Sequence, residues 1–257
     1  MNSLPRTLVF CRIAIGILVG MHHSTLKSSI AANLQQIHAD IAEAANRAGR
    51  RPEAVQLIAV SKNQPVQAVA AAVAAGQRAF GENTVQDAMT KLPGFANQGL
   101  DWHFIGHLQS NKAKLVPGNF GWVHSLDSLG LAQRLARFAK ERNATLNALI
   151  EVNVSRDPAR HGVLAENLMP LLDQLLQDNL TGLDLRGLMT IGPHPANETQ
   201  RRAAFATLRQ LRDSCRDRQA LPRFTELSMG MSDDFKEAIA EGSTLLRIGT
   251  AIFGQRE

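Results

Sequence analysis

The 257 residues include seven lysines: Lys27, Lys62, Lys91, Lys112, Lys114, Lys140 and Lys236. Only Lys62 ends an apolar run of β-strand character. Leu57-Ile58-Ala59-Val60 leads into Ser61-Lys62, and Asn63-Gln64-Pro65 closes the run. An unpaired ammonium is costly to bury, so a lysine placed there finds a partner, loses basicity or snorkels its head into water. A desolvated amine at such a site is a nucleophile, and the chemistry it favours is Schiff-base formation with an aldehyde. This stretch alone leaves both the solvated and the nucleophilic reading open.

Two later segments bear on the choice. In Ser228-Met229-Gly230-Met231-Ser232-Asp233-Asp234-Phe235 an apolar strand gives way to small residues and then a helix start. Ser228 and Ser232 offer hydroxyls, Gly230 lets the backbone approach a ligand, and Ser232 suits the cap of a helix beginning at Asp233. In Arg247-Ile248-Gly249-Thr250-Ala251-Ile252-Phe253-Gly254, the Gly249-Thr250 pair interrupts a strand expected to span Leu245–Phe253. Turns of this kind bind phosphate through backbone N–H groups and hydroxyls. Asp233 and Asp234 suit the helix dipole but repel an anion on its axis, so a phosphate is expected over the turn before that helix.

The elements that must position these groups follow a rhythm. Ile30, Leu34, Ile37, Ile41 and Ala45 mark a helix over 28–48, ended by Gly49-Arg50-Arg51-Pro52. Strands are then expected at 55–61, 78–81, 101–106, 122–125, 147–154, 185–191, 226–229 and 245–253, with helices between them. Strands alternating with helices mean a parallel sheet with right-handed crossovers, and eight such units suggest a closed TIM-type (β/α)8 barrel. A doubly wound open sheet is the rival. In a barrel, sites form at the C-terminal ends of the strands, and the loops after strands 7 and 8 often hold phosphate. Closure sets Lys62 across the lumen from those loops, and a small phosphorylated aldehyde such as pyridoxal 5′-phosphate spans the two.

Six motifs run in order along the chain: LIAVSKNQP, AFGENTVQDA, WHFIGHLQSNK, LRGLMTI, LSMGMSDDFKEAI and LLRIGTAIFG. With them, residues 28–256 resemble the YggS/PROSC family, the pyridoxal phosphate homeostasis proteins. The resemblance implies an α/β fold consisting of a single barrel like the N-terminal domain of alanine racemase, with pyridoxal phosphate held by Lys62 as an internal aldimine. It implies that Ser228, Gly249 and Thr250 hold the phosphate, that Arg247 sits by the ring or phosphate, and that Asn83 lies near the cofactor face. The chain departs from the family at Arg160-His161-Gly162, where Lys-Ser-Gly is common. That swap puts any lysine contact there in doubt, at a place expected to lie away from the phosphate cradle.

The implied role is to buffer the cofactor and hand it on, with apo forms of pyridoxal phosphate enzymes as acceptors. An amino-acid racemase is the alternative. Racemases of the related fold use a lysine and a tyrosine from a second domain, whereas this sequence has no tyrosine and reads as one barrel domain over 21–257. His107, at the end of the third strand, is the remaining candidate for a second base. Arg247 beside the pyridine nitrogen would keep that nitrogen unprotonated and weaken the electron sink.

Composition excludes other classes. A charge of +5, 44% apolar and 20% charged residues are ordinary for a globular protein. No basic block with interleaved aromatics points to nucleic acid. Cys11 and Cys215 are isolated, and there is no HExxH motif, so neither a disulfide framework nor a metal is expected. This cysteine usage fits a reducing compartment, read as the cytoplasm, and a monomer is the expected state. The apolar stretch Pro5–Met21 is interrupted by Arg12 and lacks a cleavage-site pattern. A signal peptide or membrane anchor is therefore less favoured than an upstream extension, residues 1–20, before a start at Met21.

Overall fold

The computed structural model describes residues 29–254, apart from 179 and 220. The expected extension at 1–20, Cys11, the start at Met21 and Lys27 lie outside the described residues. Among the described residues, eight parallel strands close into a barrel in chain order. They are β1 (Gln56–Val60), β2 (Ala79–Glu82), β3 (Asp101–Phe104), β4 (Trp122–Leu126), β5 (Leu146–Glu151), β6 (Leu183–Met189), β7 (Glu226–Ser228) and β8 (Leu245–Ile248). β8 returns to pair with β1, placing Arg247 opposite Ile58.

Helix α1 (29–47) precedes β1 and buries Ile30, Leu34, Ile37, Ile41 and Ala45 along one face. Gly49, at φ +66°, lets Arg50 N–H reach back to the Ala45 carbonyl and end it. The remaining helices are α2 (Val66–Ala74), α3 (Val85–Met89), α4 (Leu129–Glu141), α5 (Ala165–Gln177), α6 (Glu198–Gln219), α7 (Phe235–Ala240) and α8 (Thr250–Phe253). After β3 a 3-10 segment, Ser110–Leu115, replaces a helix. Asn33 Nδ2 donates to the Ile252 carbonyl at 2.9 Å, and Arg50 donates to that of Ile239 at 2.9 Å. These bonds tie α1 to α8 and α7. Among the described residues no helix is long and apolar enough to cross a membrane.

Alternation along the strands makes two apolar cores. Leu57, Phe80, Trp102 and Phe104 face outward, into the large core shared with the helices. Ile58, Ala79, Leu149, Met189 and Leu245 fill the lumen, with Trp122 packed against them.

Several expected strands end earlier, β3 at Phe104, β5 at Glu151 and β6 at Met189, and two further shifts build the mouth. The last strand was expected to run to Phe253, but β8 stops at Ile248, and the N–H groups of Ile252 and Phe253 both turn back to the Gly249 carbonyl. β1 ends at Val60, so the chain beyond Ile248 has no ladder to join and satisfies its backbone by coiling. The helix expected from Asp233 begins at Phe235. Asp234 accepts the Met231 N–H at 2.6 Å, which keeps residues 231–234 in a tight turn and leaves Ser232 off the helix cap.

The rim tolerates little change at Gly106. A Cβ there would lie 2.1 Å from the Asn83 carbonyl oxygen, a backbone atom with no rotamer to escape into. Gly106→Ala is expected to destabilise the fold by about 3 kcal/mol. Gly130→Ala, on the exposed face of α4 with no atom near the added methyl, should gain ~0.5–1 kcal/mol. Urea denaturation of the two variants checks both signs; equal midpoints would contradict the packing described.

Candidate functional site

A cavity of about 270 Å³ opens at the C-terminal ends of the strands. Lys62, Asn83, Arg247, Gly249 and Thr250 all line it, brought together from the ends of β1, β2 and β8. Val60, Ile105, Met189, Ile191 and Met231 supply apolar walls, and Gln64, Ser232 and Asp233 add polar groups. Ser228 is not among the lining residues. As the last residue of β7 it points into the lumen beneath the cavity and is fully buried, its hydroxyl engaged by His124 and Arg247.

Lys62 stands at the corner of a turn. Gln64 N–H closes it on the Ser61 carbonyl at 3.0 Å, and Asn63 takes the positive φ of 58° that such a turn needs. Beneath this turn lies a second lysine whose importance the sequence reading missed. Lys91, 1% exposed, donates from Nζ to the Ser61 carbonyl at 2.7 Å, to Glu82 Oε1 at 2.9 Å and to Asp87 Oδ2 at 2.9 Å. The Ser61 hydroxyl donates to the same Glu82 oxygen at 2.6 Å, and Asn63 N–H donates to Asp87 Oδ2 at 2.6 Å. The residues on both sides of Lys62 are therefore fixed to one buried ion cluster. Burial raises the Glu82 carboxyl above its ordinary range, opposed by Lys91 and Ser61. Burial also works against the Asp87 carboxylate, but the Asn63 N–H and Lys91 outweigh it and hold the group below its ordinary value.

Closure makes β8 the neighbour of β1, so the last loop stands beside Lys62 and not across the lumen as expected, and on β8 Arg247 is nearly buried. It donates from Nη1 to Ser228 Oγ at 2.5 Å and from Nη2 to the Thr190 carbonyl at 2.9 Å. Burial pulls its pKa down to about 10, against the attraction of Asp234 and Glu151, so it stays cationic at neutral pH. Gly249 sits at the cap of α8, where the first amides of the helix have no carbonyl partner within it. These amides and the Thr250 hydroxyl are the donors suited to an anion. Ser232 is the hydroxyl from the seventh loop that reaches this cavity; the turn around Asp234 signals it better than strand position does.

Other expected residues lie apart. His107 lines a neighbouring cavity that shares Asn83 with the first. Its ring stacks on His161 at 3.7 Å and stands 4.0 Å from Asp127. His103, four residues earlier, faces the lumen instead, and the described residues hold no His, Cys, Asp or Glu group able to bind a metal. Arg160, expected to be remote, donates to the carbonyls of Ile191 at 2.7 Å and Gly192 at 2.5 Å. It thus braces the cavity wall from behind.

Burial, opposed by Arg247 and reinforced by Asp127, pushes the Glu151 carboxyl from an ordinary 4.5 up to about 7. Between those values the folded protein keeps a proton that the unfolded chain has lost, so Glu151 makes stability fall as pH rises through that window, by up to about 3 kcal/mol. Above pH 7 it has no further effect. Glu82, also raised to about 7, adds to the decline, so Glu151→Gln should make it shallower between pH 4.5 and 7 without abolishing it in denaturation of the ligand-free protein; an unchanged profile would contradict the assignment.

Comparison with known proteins agrees with this architecture. The model of the alanine racemase N-terminal domain matches residues 32–257. The pyridoxal phosphate homeostasis protein of Pseudomonas aeruginosa is 45% identical over 230 residues, covering 90% of this chain and 97% of that one. PipY of Synechococcus elongatus, solved with PLP bound, is 40% identical with a TM-score of 0.77, covering 88% of this chain and 100% of that one. Alanine racemase of Corynebacterium glutamicum shares the fold alone, at 17% identity and a TM-score of 0.64 over 89% of this chain and 61% of that one. The chain belongs to the alanine racemase N-terminal domain family, among the pyridoxal phosphate homeostasis proteins.

Proposed function

We propose that this protein binds pyridoxal 5′-phosphate at the barrel mouth, with Lys62 as its covalent anchor, and that it stores the cofactor and passes it to apo-enzymes in the cytoplasm. The observation that supports this most is the placement of Lys62 and the Gly249-Thr250 turn on one small cavity. The donor set fits the molecule. The amides and hydroxyl at Gly249-Thr250 suit a phosphate, while Asp233, which also lines the cavity, repels one from the α7 side. Ile105, Met189 and Ile191 suit the faces of an aromatic ring, and Asn83 lies within the same wall. Ser232 takes the hydroxyl role expected of Ser228.

When bound, pyridoxal phosphate supplies an aldehyde that condenses reversibly with amines. The chain's own residues favour holding over turnover. Arg247 lines the cavity as a cation that can only donate, so a ring nitrogen placed against it would accept a hydrogen bond and stay unprotonated. That weakens the electron sink on which amino-acid chemistry depends. A racemase also needs a second base within reach of the substrate carbon. The sequence has no tyrosine, and His107 opens on the neighbouring cavity.

Loaded protein is expected to show the visible absorption band of the bound cofactor and to restore activity to an apo-enzyme. Lys62→Ala should lose the band and bind at least about tenfold more weakly, a loss of ~1.4 kcal/mol or more. Incubation with L-alanine should give no D-alanine. An unchanged band and affinity in Lys62→Ala would remove the anchor, and brisk racemisation would replace the carrier reading.

A further inference from the structure

Barrel lumens of this type are filled mainly by branched apolar side chains. This one also contains a polar chain that runs from the opposite face to the cavity. Asp101 opens β3, and its carboxylate, 40% exposed, lies 3.1 Å from His103 Nε2. His103 Nδ1 is 2.9 Å from His124 Nε2, and His124 Nδ1 is 2.9 Å from Ser228 Oγ. Ser228 Oγ in turn meets Arg247 Nη1. Both histidines and the serine are fully buried, and Trp122 stacks on His103 at 5.4 Å.

With one proton on each ring, the two ends fix the direction of every link. A guanidinium only donates, so Ser228 Oγ accepts from Arg247; a carboxylate only accepts, so His103 carries its proton on Nε2. His103 Nδ1 is then a bare acceptor, and His124 must donate to it from Nε2. His124 Nδ1 is in turn bare and takes the Ser228 hydroxyl proton. Burial, with His103 and Arg247 nearby, keeps His124 neutral, so that ring carries a single proton. With a singly protonated His103, the opposite order would set its bare Nε2 against the Asp101 carboxylate.

We propose that Asp101, His103, His124 and Ser228 form a one-directional hydrogen-bonded strut that positions Arg247 at the cavity. The strut is no proton wire, because its upper end is a guanidinium that does not release its proton. It commits one Arg247 N–H to Ser228, and the Thr190 carbonyl takes another, which pins both ends of the guanidinium at the cavity wall. A guanidinium fixed in this way meets a bound ring in one orientation. The functional part rests on the pyridoxal phosphate reading; the tautomer pattern does not.

Nitrogen-15 NMR of the imidazoles in the ligand-free protein tests the strut directly. Both His103 and His124 should be neutral with the proton on Nε2; a proton on Nδ1 of His124 would overturn the proposal. Ser228→Ala should abolish the fixed His124 tautomer, weaken pyridoxal phosphate binding about tenfold and shift the visible band, and Ser228→Thr should restore all three. Unchanged binding and band in Ser228→Ala, with wild type binding normally, would also overturn it. The predicted tautomers in a wild-type protein that binds no pyridoxal phosphate would support the strut and sink only the functional reading.

Discussion

A buried ammonium must be ringed by acceptors, and the Lys91 ammonium is ringed by three. One of them, the Ser61 carbonyl, belongs to the turn that presents Lys62. The others are Glu82, at the end of β2, and Asp87 in α3, which also grips the far side of that turn through Asn63. Removing one partner from such a cluster costs about 3–5 kcal/mol, because a charge is left buried alone. The cluster therefore joins the ends of β1 and β2 and the start of the next helix into one unit. Lys62 inherits a defined position from a neighbour that takes no part in the chemistry. The two lysines divide the work: Lys91 is locked by its ion pairs, and Lys62 faces the cavity.

The same economy operates on the neighbouring strand, β8. Arg247 would be expensive to bury alone, and the Thr190 carbonyl and Ser228 hydroxyl make its burial tolerable. Breaking β8 at Gly249 then supplies amides and a hydroxyl one turn above the guanidinium. Lys62, Arg247 and the Gly249-Thr250 turn thus converge on one opening.

Much of this was legible in the sequence, and the reasons for the rest are physical. Strand and helix alternation shows as periodicity, so the eight-stranded closure could be expected. The ends of strands, where sites lie, picked out Lys62, Asn83, Gly249 and Thr250, all of which meet at one cavity. Ser228 does not line that cavity, and a stretch of sequence does not show which way the final residue of a three-residue strand faces. β8 was drawn too long because Ala251, Ile252 and Phe253 are apolar in either a strand or a helix. Lys91 read as an ordinary helical lysine; its partners lie 4, 9 and 30 residues away, and only the packing of β1, β2 and α3 brings them together. The lumen strut was hidden for the same reason, its four strands being distant in the chain.

The most direct test of the central claim, that the buried cluster presents Lys62 and no other amine to the cofactor, is borohydride reduction of the pyridoxal phosphate-loaded protein followed by peptide mapping. The account predicts a single stable adduct on Lys62, with Lys91 unmodified inside its ion pairs. An adduct on Lys91, or one spread over Lys112, Lys114 and Lys236 with Lys62 spared, would contradict it.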